Sequence, residues 1–167
     1  NIDFYDLVLK SPLEQASLLS KRLHNSIFFK REDLQPVNSF KIRGAYNKLR
    51  HLTAEDRDKG VIAASAGNHA QGVALACKHL NIAATIVMPT TTPSIKVESV
   101  KRYGASVKLF GDTYDEASQF AYELREKTQS TFVHPYDDPM VIAGQGTIAK
   151  EILEQLNGQI PDVIFTC

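Results

Sequence analysis

From residue 60 onward, short apolar runs alternate with longer stretches whose apolar residues recur every three or four positions. The runs are short enough to be buried strands, and they lie at 60–65, 84–88, 106–110, 131–134 and 162–167. Strands separated by single helices form right-handed crossover units in parallel sheets. The alternation therefore predicts an α/β fold, with a parallel sheet and flanking helices.

Capping residues predict where most of the helices begin and end. The predicted helices run over 68–80, from Thr92-Pro93 to a stop at Gly104, from the capping box of Thr113 and Glu116 through residue 124, and from Asp138-Pro139 to Gly158. The first fifty residues are less regular. There we expect an amphipathic stretch over 13–23, a strand over 27–30 and a helix over 39–49 with Ser39 as its N-cap.

Charge and composition exclude several functional classes. Nineteen Lys and Arg balance nineteen Asp and Glu, so no global field attracts nucleic acid or an anionic membrane. No apolar run approaches the roughly 18 residues of a membrane helix. Two cysteines and five histidines show no metal-ligand spacing, so no metal site is expected. The first residues show no basic-then-apolar signal pattern, and we expect a cytoplasmic protein, with an organelle left open.

Basic residues are concentrated between residues 21 and 50. Solvated helix faces are the expectation for most of them, and an anionic ligand nearby is the alternative. The eight residues are Lys21, Arg22, Lys30, Arg31, Lys41, Arg43, Lys48 and Arg50, with Glu32 and Asp33 as the acids among them.

Lys41 is the first candidate for chemistry. It lies at the start of a predicted helix, where the helix dipole favours the neutral amine, and Arg43 two residues later acts in the same direction. A neutral amine is what Schiff-base chemistry requires. The alternative, a solvated surface lysine, is the more common fate of this residue type.

Residues 65–69 form the second candidate, because they join a predicted strand to a predicted helix. Gly67 permits a close backbone approach, and the free N–H groups at the following helix start can bind an anion. Asn68 adds an amide at the same place. An ordinary strand-to-helix turn capped by Ser65 is the alternative, and the sequence does not decide between the two.

Two further patterns are interpreted as structural. Gly144-x-Gly146-x-x-Ala149 matches a dinucleotide fingerprint, but it lies inside a predicted helix and lacks the later acidic residue. We interpret it as close helix packing. His134-Pro135, at the end of a predicted strand, is interpreted as a turn, with pocket lining as the alternative.

Two segments together resemble the fold-type-II pyridoxal-phosphate enzymes, and among them the threonine dehydratases (threonine ammonia-lyases). They are Ser-Phe-Lys-Ile-Arg-Gly-Ala at 39–45 and Ser-Ala-Gly-Asn-His-Ala-Gln-Gly at 65–72. The resemblance extends over nearly the whole chain. Gln35-Pro36-Val37 is similar to the biosynthetic branch of that family, which acts in isoleucine biosynthesis.

The resemblance implies a role for each matching residue. Lys41 holds pyridoxal 5'-phosphate as a Schiff base and is the catalytic residue, Phe40 packs near the cofactor ring, and Asn68 binds the ring hydroxyl. The substrate carboxylate is held by a loop whose residues are Ser65, Ala66, Gly67, Asn68 and His69.

The implied reaction is the deamination of L-threonine to 2-oxobutanoate and ammonia. Serine, one methyl smaller, is expected to be accepted less well. A serine dehydratase or racemase of the same fold is an alternative, although racemases of this fold use a serine where this chain has Ala66. The resemblance also implies small-molecule substrates and no nucleic-acid or membrane partner. It further implies that the full-length parent is a homo-oligomer.

The same resemblance predicts a division into lobes. Residues 1–43 and 143–167 belong to a larger lobe, residues 44–142 form a small four-stranded lobe, and the cofactor lies between them. The family's glycine-rich phosphate loop follows the strand that here ends at Thr166-Cys167. We therefore expect a fragment, for which an inactive binding or assembly module is the remaining alternative.

Overall fold

A computed structural model describes residues 3–166. The helices in chain order are α1 (Ser17–Leu23), α2 (Lys41–Arg50), α3 (Ala54–Lys59), α4 (Asn68–Leu80), α5 (Ser94–Lys101), α6 (Tyr114–Thr128) and α7 (Pro139–Gln155). The strands are β1 (Leu13–Gln15), β2 (Phe28–Lys30), β3 (Val61–Ala64), β4 (Ala84–Met88), β5 (Ser106–Leu109) and β6 (Thr131–Phe132). Short 3₁₀ turns cover Phe4–Asp6 and Glu32–Leu34.

Four strands form a parallel sheet in the order β5-β4-β3-β6. β4 and β5 follow β3 on one side, whereas β6, later in the chain, pairs with β3 on the other. The strand order therefore reverses at β3, and this makes a topological switch point between β3 and β6. β1 and β2 form a separate antiparallel pair. The predicted α/β class is confirmed.

Helices cover both faces of the sheet. Ile62 and Ala64 of β3 pack against Ala117 and Ala121 of α6 on one face. The alternate strand residues face the main core, which includes α2 and α4. All four residues of β3 are buried, so this strand is apolar throughout instead of alternating.

Glycines bring α2 very close to two other helices. A Cβ atom built on Gly72 of α4 would lie 3.2 Å from the carbonyl oxygen of Lys41 and the nitrogen of Ile42. A Cβ atom on Gly144 of α7 would lie only 2.5 Å from the carbonyl oxygen of Arg43. The interpretation of the Gly144 motif as close helix packing is confirmed for Gly144.

Three expectations for local structure were wrong. Residues 13–23 divide into β1 and α1, because the antiparallel pairing with β2 takes the first three. The predicted fifth strand, 162–167, has no strand over its described residues 162–166, which find no partner strand and leave Phe165 93% exposed; Cys167 lies outside the described residues. α2 begins at Lys41 with Phe40 as N-cap, and the Ser39 hydroxyl accepts the Lys41 N–H at 3.3 Å.

No helix within residues 3–166 is both long enough and apolar enough to cross a membrane.

Candidate active site

Lys41 is half-buried in the first turn of α2, and its amine is directed to the loop that follows β6. Its Nζ donates a hydrogen bond of 2.9 Å to the carbonyl oxygen of Pro135 and lies 5.2 Å from the ring centroid of Phe40. Burial lowers the pKa of the Lys41 amine below its ordinary value of 10.5. The predicted direction of the pKa shift is therefore confirmed, but its cause is burial.

Arg43 does not act on Lys41 as the sequence suggested. Its side chain is fully buried and forms bidentate ion pairs with Glu32 and Glu151. The Nζ of Lys30 donates a hydrogen bond of 2.7 Å to the same Glu151 carboxylate and forms an ion pair with it. Because two carboxylates compensate the two cations, Arg43 adds little positive field at Lys41.

These four residues, Lys30, Glu32, Arg43 and Glu151, are called the buried ion cluster below. Their burial corrects the expectation of solvated faces for Lys30 and Arg43, whose side chains are 8% and 0% exposed. The cluster connects the chain around residue 32 to α2 and α7. Each buried charge in the cluster is paired, and moving one partner away would leave another charge unpaired inside the protein. The pairing therefore keeps the four side chains in place.

The loop between β3 and α4 contains the second group of predicted residues. The Ser65 hydroxyl accepts the N–H of Gly67 at 3.2 Å, and α4 begins at Asn68, which is exposed. Ser65, Ala66 and Gly67 are half-buried. α4 has 13 residues, so its first N–H groups offer donors to an anion at this exposed mouth.

His69, one residue into α4, differs from the rest of the loop because its side chain is buried. Its ring Nε2 lies 2.9 Å from the carbonyl oxygen of Val133. Burial lowers the pKa of His69 to about 4; the bond to Val133 raises it in part, and Lys41 and His134 lower it further. The imidazole is therefore neutral at physiological pH.

Lys41 and His69 thus meet the same short segment, 133–135, at the carboxyl ends of β3 and β6. Ligands of open α/β sheets bind outside the carboxyl ends of the strands at such a switch point. The Lys41 ammonium is close enough to His69 to lower its pKa. The structure therefore brings the two predicted segments, 39–45 and 65–69, to one place in the fold.

Sequence reasoning missed the carbonyl groups of Val133 and Pro135. A backbone acceptor carries no residue-type signal, and only the position of His134-Pro135 at a strand end indicated the segment. Within residues 3–166, no group of His, Cys, Asp or Glu side chains is arranged to hold a metal ion.

Comparison with known proteins places this geometry in a family. The sequence profile described as "Pyridoxal-phosphate dependent enzyme" matches residues 5–167. A biosynthetic L-threonine dehydratase from Pasteurella multocida is 56% identical over 161 residues, which are 96% of this chain and 31% of the relative. The mitochondrial threonine dehydratase of Saccharomyces cerevisiae is 55% identical over 152 residues, 91% of this chain and 26% of the relative.

Solved structures agree with these relatives. The processed form of threonine deaminase isoform 2 from Solanum lycopersicum has a TM-score of 0.89 and 56% identity, over 91% of this chain and 42% of that one. Maize serine racemase has a TM-score of 0.88 and 36% identity, over 92% of this chain and 47% of that one. The chain spans less than a third of the length of the two dehydratases named above. On the match over residues 5–167, this chain belongs to the family of pyridoxal-phosphate dependent enzymes.

Proposed function

We propose that the chain is part of a threonine dehydratase, which converts L-threonine to 2-oxobutanoate and ammonia in isoleucine biosynthesis. The observation that carries the proposal is the half-buried Lys41 amine at the switch point of the sheet, beside the helix start at Asn68. Sequence identity of 55–57% to several threonine dehydratases supports the choice of substrate.

The residues present fit pyridoxal 5'-phosphate, which carries an aldehyde, an aromatic ring and an anionic group. Lys41 supplies an amine whose pKa is lowered, and amines in that state attack aldehydes readily. Phe40 lies beside that amine and supplies an aromatic face, while the exposed Asn68 amide can donate to the ring hydroxyl. When bound, the cofactor supplies an electron sink for the charge that develops at the substrate α-carbon.

Lys41 moves the proton in this proposal. Its uncharged Nζ accepts the proton from the substrate α-carbon, and burial increases the fraction of the amine that is uncharged at neutral pH. The Pro135 carbonyl accepts a hydrogen bond from the same Nζ and so fixes its direction. The leaving β-hydroxyl needs a proton as well, and no described residue is assigned to that step.

The substrate carboxylate is assigned to the start of α4. Residues Ser65, Ala66, Gly67, Asn68 and His69 form the loop, and its N–H groups with the helix dipole favour a negative charge there. The His69 side chain faces Val133, so its contribution to the carboxylate is its backbone N–H.

Borohydride reduction tests the proposal directly. The protein is incubated with pyridoxal phosphate, reduced, and mapped by peptide mass. We expect the label on Lys41, its loss in Lys41→Ala, and an unchanged pattern in the control Lys48→Ala, two turns further along α2. Labelling spread evenly over surface lysines would contradict the assignment. Production of 2-oxobutanoate from L-threonine, abolished in Lys41→Ala alone, completes the test.

A serine racemase is the second candidate, favoured by the likeness to the maize enzyme. A racemase must deliver a proton to the face of the α-carbon opposite the lysine. Ala66 has no hydroxyl for this purpose, which argues for the lyase. Chiral chromatography of L-serine incubated with the holoenzyme separates the two, since only a racemase produces D-serine.

A homo-oligomer in the full-length protein and a cytoplasmic location stay predictions. Related dehydratases are described as chloroplastic in tomato and mitochondrial in yeast. Light scattering of the purified protein tests the first prediction, and imaging of a tagged full-length protein tests the second.

A further inference from the structure

The side chain of His69 has no part in the function proposed above, yet it is fixed in position. It is only 4% exposed, and its Nε2 lies 2.9 Å from the Val133 carbonyl oxygen. A carbonyl oxygen only accepts, so Nε2 must carry the proton. The neutral ring then leaves Nδ1 as a bare acceptor, and no described residue donates to it.

The segment that His69 contacts is short and irregular. β6 ends at Phe132. The Val133 N–H donates one more sheet hydrogen bond, of 2.9 Å, to the carbonyl oxygen of Ile62 in β3. At the far end, the Asp138 carboxylate caps α7 and pairs with Lys48 at 2.8 Å. Between these ends, the Pro135 carbonyl receives the Lys41 amine.

The bond from His69 therefore ties α4 to the β6 end of this segment by a side-chain hydrogen bond, in addition to the apolar packing of Val133 in the core. His134 does not replace it, because its Nδ1 accepts the N–H groups of Tyr136 and Asp137 within the segment itself. If the Val133 carbonyl turned away, the peptide groups that follow it would turn too, and Pro135 is two residues on. The bonds of His69 and Lys41 thus hold two carbonyl groups of one short segment, two residues apart.

We propose that His69 is a positioning residue for Lys41: its Nε2–H holds the Val133 carbonyl, and this orients the Pro135 carbonyl toward the Lys41 amine. The inference rests on the proposed function in taking Lys41 as the reactive amine. The neutral ring suits the role, because its single N–H, on Nε2, is the group that the Val133 carbonyl accepts.

Two substitutions separate positioning from simple packing. His69→Gln places an amide N–H near the position of Nε2 and keeps the bond, whereas His69→Leu fills space without a donor. His51→Leu is the matched control, because His51 also bonds to a backbone carbonyl, that of Asn47, but at the exposed end of α2. Equilibrium binding of pyridoxal phosphate at Lys41 is measured by reduction and peptide mapping.

We expect binding about tenfold weaker in His69→Leu, the effect of losing one buried hydrogen bond, and within about twofold of wild type in His69→Gln and His51→Leu. His69→Leu within twofold of wild type, or His69→Gln as weak as His69→Leu, would overturn the inference. If His69→Leu does not fold, His69→Asn replaces it, because its shorter amide does not reach the carbonyl.

A second readout needs no cofactor. Competitive acetylation with acetic anhydride, resolved by peptide mass, follows the amine of Lys41 against pH. Release of segment 133–135 admits water to Lys41, so in His69→Leu its titration midpoint moves to higher pH. An unmoved Lys41 midpoint refutes the inference. Full-length wild-type protein that shows no cofactor label on Lys41 refutes the proposed function instead, and the acetylation result still decides the role of His69.

Discussion

Replacing Glu151 by glutamine removes one negative charge from the buried ion cluster and keeps the size of the side chain. Glu151 is fully buried and accepts four hydrogen bonds: two from Arg43 at 2.7 and 2.9 Å, one from Lys30 at 2.7 Å and one from the Tyr5 hydroxyl at 3.0 Å. In Glu151→Gln, one oxygen becomes an NH₂ group that faces donors. Glu32 is then the one carboxylate left in the cluster and pairs with Arg43, while Lys30 keeps only the Ser11 carbonyl and the Gln155 amide oxygen.

The cost is set by the charge that is left uncompensated. Breaking a buried, hydrogen-bonded ion pair by removing one partner destabilises a protein by about 3–5 kcal/mol. Domains of this size are stable by about 5–15 kcal/mol, so the substitution removes a large part of the total. With a urea m-value of about 2 kcal/mol/M, the unfolding midpoint falls by roughly 2 M.

The assay is urea unfolding followed by circular dichroism at pH 7. Glu154→Gln is the matched control, because Glu154 lies on the same helix, one turn away, and pairs with Lys10 at 2.7 Å with both side chains about half exposed. We expect its midpoint to stay near that of wild type. Equal unfolding midpoints for Glu151→Gln and Glu154→Gln would refute the argument that the buried ion cluster stabilises the fold because it is buried.

Acid pH gives the same prediction a second test. Burial raises the pKa of Glu151, but its bonds to Arg43 and Lys30 outweigh burial and hold the pKa below the ordinary 4.5. A carboxylate with a lowered pKa stabilises the fold above its unfolded-state pKa and loses that effect as the pH falls through the folded value. The stability difference between wild type and Glu151→Gln should therefore narrow below about pH 4.5 and stay constant above it.

Three further substitutions and one labelling reaction test other parts of the structure. Gly144→Ala should destabilise the protein by about 1–3 kcal/mol, since its Cβ meets backbone, whereas Gly146→Ala, with nothing within 4 Å, should stabilise it by about 0.5–1 kcal/mol in thermal unfolding. Asp138→Ala should cost about 1 kcal/mol in urea unfolding, because the carboxylate accepts the first two free N–H groups of α7. Burial raises the pKa of the Cys77 thiol to about 12, so iodoacetamide should label Cys77 only after urea unfolds the protein, as peptide mass would show.

Periodicity and capping predicted most of the sheet and the helices that cover it. α4 runs from Asn68 to Leu80 as expected, and the capping box of Thr113 and Glu116 forms at the start of α6. Such signals act within a few residues, where sequence spacing is also spatial spacing. The run at 162–166 has the apolar composition of a strand. A strand also needs a neighbouring strand with which to pair, and these residues have none in the described structure.

The parts that sequence reasoning did not find depend on distant partners. Arg43 is buried because Glu151, 108 residues later, meets it, and no local pattern contains that information. The acceptor of Lys41 is a backbone carbonyl 94 residues away. The position of Lys41 near a helix start was predicted from the sequence, whereas the groups that hold its amine required the fold.

The glycine contacts on both sides of α2 also limit how an enzyme built on this chain can move. Gly72 brings α4 to van der Waals distance from the backbone of Lys41, and Gly144 does the same for α7 at Arg43. Backbones in such contact cannot slide past one another without losing it, so these three helices should translate and rotate as a unit. If substrate binding closes the site at the carboxyl ends of β3 and β6, the hinge should lie outside this three-helix unit, and elements such as α5 and β5 should move while Lys41 stays in place.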